Sequence, residues 1–281
     1  MRYLRGIRTA LQYMILIVIT LITLFPIFYV VASSFKSNME ILTFGINILP
    51  KNPVLDNYKQ AWELANFKRY TFNSIYLCFF SVLGIVITSS LAGYTFARGN
   101  FVGKKLIFAV FTSTMFISFG SATLYPLLGV ASALHINKNL WGIILIKVFG
   151  VNITNIFLVR GHVLSLPKEM DEAAKIDGCD FFQIFVYIIA PLLKPILATV
   201  ALLSFQASWN DYLLPMVFTL GNKDSAPLIV GIVSLKSTGA AAASWNLMMA
   251  GTTISLIPIL IVFLCMNKYF IKGLTSGAVK G

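Results

Sequence analysis

Acidic residues are scarce in this chain: 10 Asp and Glu among 281 residues, against 22 Lys and Arg, for a formal net charge of +12. Charged residues of both signs reach only 11%, where a soluble domain carries about 25%, and this excludes an ordinary soluble fold. The three cysteines, Cys78, Cys179 and Cys265, lie far apart with no metal-ligand spacing, so neither a disulfide framework nor a metal site is expected. The two histidines, His135 and His162, stand alone and receive no role. There is no Walker phosphate loop, no His-Glu-x-x-His and no paired catalytic groups, so ATP hydrolysis cannot reside here and an intramembrane enzyme is disfavoured.

What the chain has instead is apolar length, at 58% hydrophobic residues. Uncharged or nearly uncharged runs fall at about 11–33, 71–97, 106–130, 140–159, 191–213 and 247–266, each near the roughly 20 residues that cross a bilayer. The first, preceded by Arg2, Arg5 and Arg8, is too long for the core of a secretory signal, roughly 7–15 residues, and reads as a membrane helix. Six spans predict an all-α membrane protein with both termini on one side. Lys and Arg concentrate on that side in the short connections, so cytoplasmic termini are expected, and the basic balance needs no nucleic acid. Residues 34–70 are expected as an external segment without a core of its own, and 214–246 as an external, partly interfacial excursion. Within the latter, the small-residue run 239–244 favours flexibility or close packing.

Residues 160–190 form a cytoplasmic loop holding the one dense polar cluster. Five of the ten acids, Glu169, Asp171, Glu172, Asp177 and Asp180, sit here with two lysines, against the global charge, so something polar is expected to meet it. The grammar is that of a short helix: Ser165 to cap, Pro167 in the first turn, acids near the positive N-terminal end and Gly178 in the left-handed closing position. Met170, Ala173 and Ala174 fall on one side, a low-relief surface suited to docking. A second helix follows with Asp180 as cap and Gln183 three residues on, ending at Pro191, with a fifth span starting there and a kink near Pro195.

The pattern Glu172-Ala173-Ala174, three residues, Gly178, nine residues, Ile188-Ile189-Ala190-Pro191 resembles the cytoplasmic loop of inner-membrane permease subunits of binding-protein-dependent ABC importers, with Ala190 where the family usually has Leu. The Trp209-Asn210-Asp211-Tyr212 signature and the basic, glycine-containing tail 269–281 resemble the carbohydrate, maltose-type branch. The resemblance implies a type I ABC importer permease fold, six transmembrane helices with a cytoplasmic coupling helix in a single domain. It further implies that Glu169 to Gly178, with Pro191, dock on an ATPase. The partners it implies are a second permease subunit in a heterodimer, two ATP-binding subunits and an extracellular solute-binding protein, in a bacterial-type cell membrane. By the same resemblance this chain binds no cofactor, ATP and Mg2+ belonging to the ATPase.

Two readings stay open for the charges and aromatics in and beside the spans. Lys147, inside the fourth span, faces a pathway or partner, or lies toward an end and snorkels. Trp209, Asn210, Asp211 and Tyr212, and likewise Trp245 and Asn246 opening the sixth span, line a sugar path or form an aromatic interface belt. The alternative function, a self-contained ion-coupled secondary transporter, needs coupling residues near the midplane, for which Lys147 is the sole candidate.

Overall fold

A computed structural model of the chain describes residues 2–43, 47–117, 120–137, 139–150, 152–237 and 243–278, and every regular element among them is helical. In order these are α1 (Arg2–Ser33), α2 (Asn38–Leu42), α3 (Asp56–Leu64), α4 (Phe67–Arg98), α5 (Lys104–Ser113), α6 (Leu124–Ala133), α7 (Leu140–Phe149) and α8 (Ile153–Ser165). There follow α9 (Glu169–Ile176), α10 (Phe181–Ile184), α11 (Ala190–Leu192), α12 (Lys194–Trp209), α13 (Leu213–Thr219), α14 (Leu228–Ser234) and α15 (Trp245–Ala278). Most of the run 239–244 lies outside the described residues.

Among the described residues three helices are long and apolar enough to cross a membrane unbroken: Arg8–Ser33, Phe67–Arg98 and Trp245–Lys268. The other spans are interrupted. Residues 106–130, expected as one helix, are α5 and α6 joined through short 3-10 turns at Thr114–Phe116 and Gly120–Thr123. The span expected at 140–159 breaks after Phe149, and its second half, α8, runs on to Ser165. Pro191 does not start the fifth span but lies inside α11, and the chain turns by 80° at Leu193, so that Pro195 sits in the first turn of α12. A π-turn at Phe185–Ile189 precedes Pro191, the Ala190 amide donating to the Phe185 carbonyl five residues back, so the ladder is already widened where proline offers no N–H.

The chain divides into two compact units. The first comprises residues 1–68 and 231–257, so the segment expected to lack a core, up to residue 68, shares one with the first turns of the last helix and with α14's end before it. Ala61, Ala65, Phe67, Leu235, Leu247 and Ala250 are all buried in this unit. Polar side chains tie it: buried Asn57 donates to the Ser34 and Lys36 carbonyls at 2.9 and 2.8 Å and accepts from Asn246 Nδ2 at 2.8 Å. Asn38 donates to the Ala243 carbonyl and accepts from the Trp245 amide, both at 3.0 Å.

The second unit comprises residues 69–230 and 258–281. In it α4 runs against α7 and α8 at glycines: a Cβ at Gly84 would collide with Val148, and one at Gly93 would lie 2.7 Å from Val159. One core gathers Tyr94, Val159, Val163, Ala174, Ile184 and Ile189 among others, and another gathers Leu77, Ile143, Leu214 and Phe218. The segment after 213, expected to be partly interfacial, therefore contributes buried side chains; Leu214 and Phe218 of α13 alternate inward at helical spacing.

Candidate functional site

The acidic stretch folds as α9, but its start differs from the expected cap. Ser165 ends α8 and donates its hydroxyl to the His162 carbonyl at 2.7 Å, while Lys168 precedes α9 without a side-chain cap. Glu169 and Glu172 nonetheless occupy the first turn, where the exposed amides and the dipole favour negative charge. At the other end Gly178 has φ +85°; its amide donates to the Lys175 carbonyl at 3.0 Å and the Cys179 amide to that of Ala174 at 2.9 Å, the paired bonds of a Schellman closure. The chain then re-enters helix through a capping box, Gln183 N–H to Asp180 Oδ1 at 2.7 Å and Asp180 N–H to Gln183 Oε1 at 2.8 Å.

The two alanines expected to share a docking surface part company. Ala174 is buried in the core of Val163, Ile184 and Ile189, and Asp171 one turn earlier is also buried. The outer face consists of Glu169, Glu172, Ala173, Ile176 and Asp177, with Met170 half-buried and Pro191 exposed beyond. This outer face is acidic and apolar at once: Ile176 is 87% exposed between Glu172 and Asp177.

The inner face is held by the last turn of α4. Arg98 Nε lies 2.9 Å from Asp171 Oδ2, and its Nη2 donates to the Leu166 carbonyl at 2.7 Å. Neither Asp171 oxygen has a hydrogen bond of good geometry, so the contact with Arg98 is an ion pair rather than an in-line bond. One turn earlier Tyr94 sits against Phe181 and Phe185, ring centroids 4.6 and 5.2 Å away. Beside them a polar cavity of about 290 Å³ opens between Arg98, Lys104, Lys168 and Asp171. Burial, and then the neighbouring Arg160 and Lys168 cations, push the Lys104 ammonium below its ordinary range; its Nζ donates to the Gly99 carbonyl at 2.7 Å.

Lys147 and Asp211 are brought together. The ammonium lies 2.6 Å from Asp211 Oδ2, both side chains are largely buried, and each stands where a helix has just ended or is about to end. Asn152 braces the break after α7, donating to the Lys147 and Gly150 carbonyls at 2.9 and 3.0 Å. Trp209 is not with them: it is buried, stacks on Phe205 at 5.5 Å between centroids, and lines an apolar cavity of about 660 Å³ with Ile75, Phe79 and Met266. Asn210 is exposed at the end of α12 and Tyr212 is half-buried. Trp245 and Asn246 belong to the first unit, the indole beneath the Lys236 ammonium at 4.5 Å and the amide on Asn57. Among the described residues no cluster of His, Cys, Asp and Glu could hold a metal ion.

Residues 84–276, which include α9 and its closing glycine, match the family model described as the inner membrane component of binding-protein-dependent transport systems. The chain belongs to this family. The permease is similar to the arabinooligosaccharides transport system permease protein AraQ of Bacillus subtilis (strain 168), 34% identical over 94% of this chain and 92% of that one. It is 31% identical to the galactooligosaccharides transport system permease protein GanQ of the same strain, over 100% of this chain and 99% of that one. Among solved structures, a chain of a bacterial ABC transporter involved in the import of the acidic polysaccharide alginate superposes with a TM-score of 0.77 at 25% identity, covering 94% of this chain and 97% of that chain. The fold is that of an ABC importer permease, a membrane-embedded subunit that works with an ATPase and a binding protein. A self-contained secondary transporter is thereby set aside.

Proposed function

We propose that this permease is one half of the channel of an ATP-driven oligosaccharide importer, and that α9 is the element through which a separate ATPase drives it. The observation that carries this reading is the two-sidedness of α9: an exposed face of Glu169, Glu172, Ala173 and Ile176 outside, and Asp171 and Ala174 locked into the permease inside. A helix so built can receive a partner and pass its displacement inward. The relatives named for arabino- and galactooligosaccharides support a sugar as cargo. The complete machine on this reading has a second, different permease, two ATP-binding subunits that hold ATP and Mg2+, and an external solute-binding protein, with both termini of this chain cytoplasmic and no cofactor of its own.

The test places two substitutions in the complex assembled from these subunits. Gly178→Val forces a β-branched residue into φ +85° and misplaces the outer face; Glu172→Lys reverses an exposed charge. Both variants are expected to insert normally, to lose oligosaccharide uptake and to retain less ATPase on purification. Normal ATPase retention and normal binding-protein-stimulated ATP hydrolysis in both would sink the docking role of α9.

A further inference from the structure

The last turn of α4 holds α9 from two sides by different chemistry. On one side the Arg98 guanidinium, 7% exposed, spans Asp171 Oδ2 at 2.9 Å, the Leu166 carbonyl at 2.7 Å and the Pro167 carbonyl at 3.4 Å. It therefore grips both the helix and the loop that feeds it. On the other side the Tyr94 ring lies against Phe181 and Phe185, just past the glycine turn. Tyr94 and Arg98 are four residues apart, hence on one face of α4, so a single helical turn touches the chain before, within and after α9. By contrast α8, which leads directly into α9, is separated from it by the extended residue Leu166 and has no helical continuity with it.

We infer that Arg98 is a positioning residue for coupling: it makes α9 and α4 move as one piece, so that displacement of α9 enters the membrane through the long helix Phe67–Arg98. This inference rests on α9 being the ATPase-facing element. A fork is what the place requires, because a planar guanidinium can reach a carboxylate and carbonyls at once, while an ammonium is a point charge.

Two variants in the reconstituted complex test this. Arg98→Lys keeps a cation opposite Asp171 but cannot also hold both carbonyls. The double variant Arg98→Met with Asp171→Leu removes the charges together, leaving no buried ion unpaired, and so guards against simple misfolding. Both are expected to retain the ATPase and its basal hydrolysis while oligosaccharide taken up per ATP hydrolysed falls about tenfold, within the usual range of coupling between sites. In both, the backbone amides of α9 should exchange with solvent faster than in the parent complex, and those of α8 at the parent rate. Unchanged uptake per ATP in both variants would overturn the inference. So would loss of the ATPase from both, which would make Arg98 a folding residue only. The outcome is separable from that of Gly178→Val and Glu172→Lys, which report on whether the ATPase docks at α9 at all.

Discussion

Lys147 and Asp211 illustrate what a residue can and cannot announce about itself. Each is conspicuous as a charge in or beside an apolar run, and each was legible as such. Their pairing was not, because 64 residues and several helix breaks separate them, and no local rule relates the end of α7 to the end of α12. Arg98 and Asp171 hide in the same way: Asp171 reads as one more acid in an exposed cluster until α4 is seen to cover it. The Lys147 pair leads to a direct expectation. Asp211→Asn leaves a largely buried ammonium without its carboxylate and should cost on the order of 2 kcal/mol, less than a fully buried pair because both side chains keep some solvent. Thermal unfolding of the purified complex should show a lowered Tm for Asp211→Asn, recovered in Lys147→Met with Asp211→Leu. An unchanged Tm for the single variant would mean that the pair does not hold α7 to α12.

At the scale of elements, the stretch from Glu169 to Gln183 was the most readable part of the chain because its structure is decided within a few residues. Gly178 closing α9 and Asp180 with Gln183 opening α10 follow from local backbone bonds alone. The N-terminal side was misread: Ser165 and Pro167 are plausible starters, but α8 persists to Ser165 because Val159 and Val163 keep burying one face. The interruptions between α5 and α6 and after Phe149 were equally hidden, since hydropathy reports apolar length and is blind to a break, whereas the turn at Leu193 falls beside Pro195, where the proline predicts a kink. The capping box gives a prediction at this scale. Asp180→Ala removes the acceptor of the Gln183 amide and should destabilise the α10 entry by about 1 kcal/mol. Hydrogen exchange at the Gln183 amide is expected to rise, whereas equal rates in variant and parent would show that the box is dispensable beside the Tyr94 and Phe181 packing.

For the whole molecule the governing fact is how much apolar surface this chain leaves uncovered. Along α1 the side chains of Leu11 to Phe28 are exposed on every face, as befits a helix surrounded by lipid or by another subunit. In the second unit the apolar cavity of about 660 Å³ is likewise open, walled by Phe79, Trp209, Ile261 and Met266 with scarcely a polar atom. Lipid can solvate such surfaces, but it cannot complete the outer face of α9, where exposed Ile176 stands among carboxylates that avoid an acyl environment. That part faces water or a protein partner. The permease expressed alone in membranes is therefore expected to insert, yet on extraction to be short-lived and without transport. Co-expression with a second permease and the ATPase should yield a stoichiometric complex of higher Tm, because subunits that bind only the folded chain stabilise it by mass action. The measurement is the Tm and subunit ratio of the extracted protein with and without its partners in the same detergent. Equal stability in both preparations, or oligosaccharide transport by the single chain in liposomes without ATP, would contradict the half-channel reading; a rise in Tm that requires the ATPase and is lost in Glu172→Lys would be the result expected if α9 receives it.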